Sequence, residues 1–222
     1  TRELQSRLTP QQVLQILKDG HQRFSTGERL TRDLGRQVSA TSSGQHPLAV
    51  VLSCIDSRTP SELIFDLGLG DIFSVRIAGN IISREVLGSM EYACAVAGAK
   101  LIVVMGHTRC GAVTAAVELA RTSESVISAT TCQHLEPIIQ VIQQSIDPAS
   151  FEQLQGLPAS ERENFVNAAT RGNVLRVTEM VFGQSEILNR LHDEGRVAIM
   201  GAIYDVVTGK IEFLPHVDQC VV

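Results

Sequence analysis

The chain has 222 residues, with 19 Lys and Arg against 24 Asp and Glu, so its formal net charge is −5. This acidic balance argues against a nucleic-acid binder, because domains that hold phosphate backbones are usually basic. Hydrophobic residues at 44% and charged residues at 19% exclude a disordered chain and fit a packed core. Apolar runs all fall short of the roughly 20 residues that a membrane-spanning helix needs, so we expect no direct membrane insertion.

The N-terminal region is predicted to be helical. Thr9 and Gln12 have the spacing of a capping box before a mainly apolar face, and Gly27 is a suitable stop. Residues 39–47 are rich in Ser, Gly, His and Pro and are predicted to form a surface loop.

After this loop the apolar period changes to that of an α/β protein. Short β-branched runs typical of buried parallel strands occupy residues 48–53, 72–77, 101–105 and 197–203. Helical segments are predicted at residues 60–66, 84–97, 111–121, 133–145 and 161–192. The alternation predicts a parallel sheet with helical crossovers, and a hairpin at residues 206–214 is expected to add an antiparallel edge strand.

These elements are predicted to form one domain over residues 1–222. Within it we distinguish an N-terminal helical arm, residues 1–38, from an α/β core, residues 48–222. The odd number of cysteines, five, argues against a disulfide framework and favours a reducing, cytoplasmic compartment.

Two predicted strand ends carry residues capable of chemistry. Cys54 directly follows the first strand, and His107 and Cys110 follow the third. Because ligands bind in parallel sheets at the carboxyl ends of neighbouring strands, we expect these side chains to meet. A single Cys at a strand end is usually a packing residue, but two thiolates and an imidazole together suit Zn²⁺ and leave a fourth position for water. The sequence therefore predicts a catalytic zinc site.

Asp56 and Arg58 are predicted to support this site. They are one residue apart, so in an extended segment both side chains point to the same side. An Arg beside a carboxylate holds it ionised and oriented. A surface ion pair is the plain alternative, but the position directly after Cys54 favours an Asp56 that accepts a hydrogen bond from the zinc-coordinated water.

The two motifs, Cys54-x-Asp-x-Arg and His107-x-x-Cys-Gly, resemble the paired signature of the β-class carbonic anhydrases. Supporting similarity lies in the segments 66–71, 76–80 and 201–205. The resemblance implies a four-stranded parallel sheet extended by an antiparallel strand and flanked by helices, with an N-terminal helix that packs on a partner subunit.

The resemblance also implies which residues act. Cys54, His107 and Cys110 match the zinc ligands, and Asp56 and Arg58 match the catalytic pair. The implied activity is that of a lyase, the reversible hydration of CO2 to bicarbonate and a proton by zinc-bound hydroxide, because Zn²⁺ lowers the pKa of bound water to about 7. The implied assembly is a homodimer, or a pair of dimers, with active sites at the subunit interface.

Two positions depart from particular branches of the family. Val51 stands where one bacterial subtype has the Trp of a non-catalytic bicarbonate pocket, and Gly68 stands where plant-type members have a Gln. Arg76 matches a common family Arg, for which we predict an ion pair at the subunit interface.

Two alternatives to CO2 hydration remain. The same ligands and fold could serve a hydrolase of carbonyl sulfide or carbon disulfide. Only the access to the pocket would distinguish such a hydrolase from an enzyme that hydrates CO2. A second alternative is a regulatory module cut from a membrane anion transporter, with which the start at Thr1 is compatible. Since all five motif residues are present, we prefer the enzyme.

Overall fold

The computed structural model describes residues 2–122, 124–147, 150 and 158–214. Its elements in chain order are α1 (Arg2–Arg7), α2 (Pro10–Thr26), α3 (Leu34–Thr41), β1 (Ala49–Ser53), α4 (Ser61–Ile64), β2 (Ile72–Arg76), a 3₁₀ turn (Ala78–Asn80), α5 (Arg84–Glu91), a π-helical turn (Tyr92–Val96), β3 (Leu101–His107), α6 (Gly111–Thr122), α7 (Val126–Thr130), α8 (Glu136–Gln143), α9 (Ala159–Gln184), α10 (Glu186–Asp193), β4 (Ala198–Tyr204) and β5 (Ile211–Phe213).

The sheet has the strand order β2-β1-β3-β4-β5. Strands β2, β1, β3 and β4 run parallel, and β5 pairs antiparallel with β4 at one edge. The predicted α/β fold, four parallel strands plus an antiparallel edge strand, is confirmed. The chain passes from β1 to β2 on one side and then back across β1 to β3, so the strand order reverses between β1 and β3. Ligands of open parallel sheets bind at such a reversal, beyond the carboxyl ends of the strands.

Strands β1 and β3 form the centre of the core, and every residue of both is buried. Their side chains alternate between two faces of the sheet. Val50 and Leu52 pack on one face with buried residues of α5, α9 and α10. Val51 packs on the other face, where Leu17 of α2 also lies. Burial on both faces explains why these strands appear in the sequence as continuous apolar runs.

Helix α2 begins at the predicted capping box. Thr9 Oγ1 accepts a hydrogen bond from the backbone N–H of Gln12, and the Gln12 side chain accepts one from the N–H of Thr9. The buried face of α2 lies against this chain's own sheet. Gly20 is required there, because a Cβ at this position would lie 1.9 Å from the carbonyl oxygen of Phe65. The packing of an N-terminal helix on a partner subunit stays a prediction.

Asp66 ties the N-terminal arm to the core. Its carboxylate is completely buried and pairs with Arg23, whose Nε lies 2.6 Å from Oδ2, and with Arg32. The backbone N–H of Leu30 donates to the same carboxylate at 3.3 Å. The left-handed backbone of Asp66, with φ of 45°, also explains why α4 ends at Ile64 rather than continuing to residue 66 as predicted.

His21, a residue without a predicted role, connects α2 to the edge strand. The backbone N–H of Ile211 donates to His21 Nε2 at 3.1 Å, so the proton of the neutral ring lies on Nδ1. Nδ1 in turn lies 3.3 Å from the carbonyl oxygen of Ile64 and donates to it.

Two further predicted segments differ from the structure. Helix α3 continues to Thr41, inside the segment predicted to be a loop. The helix predicted over residues 161–192 is two helices, because Ser185 leaves the helical conformation, with φ of −126°, and its side chain caps α10 by accepting from the N–H of Leu188. Residues 215–222 of the predicted core lie outside the described residues. Among the helices that the structure describes, none combines the length and the apolar character needed to cross a bilayer.

Candidate metal centre

The structure brings the three predicted metal ligands together. Cys54 follows β1 directly, His107 is the last residue of β3, and Cys110 precedes α6. Their ligand atoms all lie within 4.8 Å of one another, and all three residues are buried. This convergence follows from the parallel pairing of β1 with β3, which places the two strand ends side by side.

His107 presents an unused lone pair to this cluster. Its Nδ1 lies 3.0 Å from the carbonyl oxygen of Thr108 and donates to it, so the lone pair of the neutral ring is on Nε2. Nε2 is buried and has no hydrogen-bond partner among the described residues. An unsatisfied buried acceptor costs about 1–3 kcal/mol, so a cation at this position would relieve a real penalty.

The two sulfurs are paired with each other. A hydrogen bond from the side chain of Cys110 lowers the pKa of Cys54 to about 4, although burial opposes the shift, and the N–H of Gly79 adds to it. The same pairing and burial raise the pKa of Cys110. One thiolate therefore forms readily, and the second needs a nearby cation. A set of two thiolates and an imidazole with an open fourth position fits Zn²⁺.

Backbone contacts hold the loop that follows β1. Arg76 donates from Nε to the carbonyl oxygen of Cys54 at 3.0 Å and from Nη2 to that of Asp56 at 2.6 Å. Thr59 Oγ1 donates to the same Asp56 carbonyl at 3.0 Å. Arg76 thus fixes the loop that carries Cys54 in its own chain, and its ion pair at a subunit interface stays a prediction.

Asp56 and Arg58 form a bidentate ion pair beside the predicted metal ligands. Arg58 Nε lies 2.9 Å from Asp56 Oδ1, and Nη2 lies 2.7 Å from Oδ2. Hydrogen bonding to Arg58 lowers the pKa of Asp56 to about 2 although burial opposes it, so the carboxylate is ionised at neutral pH. Oδ2 lies 3.9 Å from His107 Nε2. In this arrangement both carboxylate oxygens bind Arg58, and the carboxylate stands next to the ligand cluster.

The loop from His107 to Cys110 is held from the β4–β5 side. Thr108 donates its N–H to the carbonyl oxygen of Tyr204 at 3.0 Å and its hydroxyl to Asp205 Oδ1 at 3.2 Å. Sequence reasoning did not assign this role to Asp205, although the segment 201–205 was part of the resemblance.

Gly79 is a second residue whose role sequence reasoning missed. It has φ of 68°, and its N–H donates to Cys54 Sγ at 3.4 Å. The signal was present in the segment 76–80, since a glycine in the turn after a strand can adopt a positive φ without steric cost.

Comparisons with known proteins agree with this geometry. The sequence model of the family described as "Carbonic anhydrase" matches residues 49–211. The carbonic anhydrase of Mycolicibacterium smegmatis is 34% identical over 209 residues, which is 93% of this chain and 94% of that protein.

Solved structures give the same result. The β-carbonic anhydrase CafA of Aspergillus fumigatus is similar with a TM-score of 0.67 and 27% identity, over 81% of each chain. A structure from a study of two tetrameric β-carbonic anhydrases of Sordaria macrospora has a TM-score of 0.65 at 22% identity, over 81% of this chain and 90% of that one, which shows the fold alone. The family match covers most of the chain, and the fold is that of the β class. The chain therefore belongs to the β-class carbonic anhydrases.

Proposed function

We propose that this chain catalyses the zinc-dependent, reversible hydration of CO2 to bicarbonate and a proton. The observation that carries the proposal is the convergence of Cys54, His107 and Cys110, with ligand atoms within 4.8 Å, beside the ionised carboxylate of Asp56. Family membership supports the same reaction.

Each residue has a role that follows from its contacts. Cys54, His107 and Cys110 would hold Zn²⁺, which when bound supplies a nucleophile at neutral pH by lowering the pKa of water. Two thiolates offset the charge of the metal, so we expect a higher operating pH than for three neutral imidazoles. Asp56 accepts a hydrogen bond from the nucleophile and so orients the lone pair that attacks CO2. Arg58 keeps Asp56 ionised and fixed.

The surroundings of the ligands suit an apolar substrate. Cys54 and Cys110 belong to an apolar cluster that includes Ile81, Val113 and Ile142. CO2 has no charge to balance in such surroundings, whereas bicarbonate does, so product release is favoured over product retention.

The experiment is a stopped-flow CO2 hydration assay combined with metal analysis on the purified chain. We expect one zinc per chain, loss of hydration after chelation, and recovery on adding Zn²⁺. A fully zinc-loaded chain without hydration above the buffer rate would overturn the proposal. Carbonyl sulfide and carbon disulfide are assayed in parallel, and hydrolysis of either without CO2 hydration would establish the sulfur alternative.

The alternative of a regulatory module fused to a membrane anion transporter receives no support from the matches. A reducing, cytoplasmic compartment belongs to our proposal for a chemical reason. Cys54 and Cys110 are free and adjacent, and a disulfide between them would remove two metal ligands at once.

We also propose that the chain forms a homodimer, or a pair of dimers, through the N-terminal arm. Leu34 and Val38 lie four residues apart on one face of α3, and each is 58% exposed. Burying this face against a second copy removes apolar surface from water. Val38→Asp should lower the mass in sedimentation velocity to that of a monomer, whereas Val207→Asp, at an equally exposed site in the β4–β5 turn, should not. A monomeric wild type, or an unchanged Val38→Asp variant, would contradict the proposal.

A further inference from the structure

Helix α9 packs directly against the strand end that carries His107. Gly106 precedes this ligand, and a Cβ there would lie 2.6 Å from Val174 Cγ2 and 3.1 Å from Thr170 Cγ2. The absence of a side chain at Gly106 lets the helix approach the backbone of β3 closely. Polar side chains of α9 can therefore reach the loops that bear the metal ligands.

Asn167 of α9 binds the loop between His107 and Cys110. The backbone N–H of Arg109 donates to Asn167 Oδ1 at 3.1 Å. Arg109 is left-handed, with φ of 56°, a conformation that is strained for a residue with a Cβ. Glu163 assists, since Arg109 Nε donates to it at 2.7 Å. Side chains of α9 therefore hold Arg109, whose strained backbone sets the spacing between His107 and Cys110.

Asn173 of α9 binds the turn that touches Cys54. The side chain is completely buried, and its Nδ2 donates to the carbonyl oxygen of Gly79 at 2.8 Å. Its Oδ1 accepts from the hydroxyl of Ser145 at 3.2 Å, which fixes the amide orientation. The N–H of Gly79 in turn donates to Cys54 Sγ at 3.4 Å. Gly79 is therefore held at its carbonyl by Asn173 while its N–H is aimed at a ligand sulfur.

We propose that Asn167 and Asn173 are positioning residues that set the geometry of the zinc ligands through the main chain of Arg109 and Gly79. The inference rests on the proposed function, because it requires that the site binds zinc. Neither asparagine contacts a ligand side chain in the hydrogen bonds described above. Their effect is to hold the His107–Cys110 loop in its strained form and to hold an N–H donor on the Cys54 sulfur, which reduces the negative charge that the sulfur donates to the metal. Partners that bond a ligand directly typically change metal affinity about 10–100-fold, and these asparagines act one hydrogen bond further out.

The test compares Asn167→Ala and Asn173→Ala with two controls on the same helix. Asn164→Ala removes an exposed asparagine, and Thr178→Val removes a buried hydroxyl that donates to the Val174 carbonyl of its own helix. Zinc affinity is measured by competition with a chromophoric chelator, and the thiolate-to-metal charge-transfer band is recorded after substitution with Co²⁺. We expect zinc affinity to fall about 10-fold in both asparagine variants, which is the lower end of the range for partners that bond a ligand directly. The charge-transfer band should shift in the Asn173→Ala variant, and both controls should match wild type.

The experiment distinguishes three outcomes: a variant that fails to fold, a wrong inference about the asparagines, and a wrong proposed function. If the buried Asn173→Ala variant does not fold, the half-buried Asn167 still tests the inference, and Ser145→Ala loosens the Asn173 amide without removing it. Ser145→Ala should lower zinc affinity in the same direction but less. Folded variants with wild-type zinc affinity and an unchanged cobalt spectrum would overturn the inference alone. A wild-type chain that binds no zinc would overturn the proposed function and this inference with it.

Discussion

Replacing Asp66 with Asn isolates the ion pairs that join the N-terminal arm to the core. The side chain is completely buried between Arg23 and Arg32 and also accepts from the N–H of Leu30. Asn has nearly the same size and, like Asp, tolerates the left-handed backbone of this position, where φ is 45°. The substitution therefore removes the charge without adding backbone strain.

The solvent exposure of Arg23 and Arg32 bounds how much the Asp66→Asn substitution lowers the free energy of unfolding. Removing one partner of a buried ion pair costs about 3–5 kcal/mol, because the other charge stays buried. Arg23 and Arg32 are 29% and 17% exposed and can turn toward water, so the cost falls to about 2–3 kcal/mol. For a chain of this size each kcal/mol lowers Tm by about 2–4 °C, which predicts a fall of about 4–12 °C.

At acid pH the difference in the free energy of unfolding between wild type and the Asp66→Asn variant should become smaller. Burial alone would raise the pKa of Asp66, but hydrogen bonds from Arg32 and Arg23 outweigh burial and hold the pKa below its ordinary value of 3.8. A lowered carboxyl pKa contributes stability that is complete above the ordinary value and is lost as the pH falls through the folded value. The gap between wild type and the Asp66→Asn variant should therefore narrow as the pH falls below about 4.

Unfolding in urea, an uncharged denaturant that does not screen the ion pairs, measures both effects at neutral and acid pH. Glu3→Gln is the matched control, because the Glu3–Arg7 pair has side chains that are 73% and 76% exposed and should contribute at most about 1 kcal/mol. An Asp66→Asn variant within about 1 kcal/mol of wild type would refute the argument that this carboxylate holds the arm. If the stability difference between wild type and the Asp66→Asn variant stays constant in acid, the difference does not arise from the charge of Asp66.

Three further substitutions test the site. Cys110→Ser should lose zinc and CO2 hydration together, as measured by metal analysis and stopped flow, whereas Cys132→Ser, at an exposed cysteine outside the ligand cluster, should keep both. Arg58→Ala should keep zinc but lower kcat, because it releases Asp56 and leaves the ligands in place; normal turnover would show that the pair is not catalytic. Gly79→Ala should lower the free energy of unfolding by at least about 1–2 kcal/mol, because φ is 68° there and a Cβ would lie 2.5 Å from a side-chain carbon of α8. A Gly79→Ala variant as stable as wild type would show that the turn relaxes.

The sequence was sufficient for the sheet and for the convergence of the three candidate ligands because both depend on local patterns. Buried β-branched runs specify the parallel strands, and the residues directly after β1 and β3 must lie at the same sheet edge. Cys54, His107 and Cys110 therefore met as predicted. Asp56 and Arg58 also formed the predicted pair, because only one residue separates them.

The residues that support the ligands were not predictable in the same way. Asn173 and Gly79 are 94 positions apart, and no local pattern shows that α9 crosses the end of β3 closely enough for them to bond. The contacts of Arg76 within its own chain were not predictable either, because its partners there are main-chain carbonyl oxygens, which leave no trace in the sequence. Ser185 was overlooked as a break because the apolar spacing continues past it, and only its cap on α10 shows that the helix restarts.

The imidazole of His21 has a consequence for how molecules of this protein can associate. It accepts a hydrogen bond from the backbone N–H of Ile211, which points away from the sheet. Ile211 lies on β5, an edge strand of only three residues. A rim that is short and already capped by a side chain is a poor template for recruiting an extended segment of another molecule. Growth of the sheet by strand addition is thereby discouraged on this side.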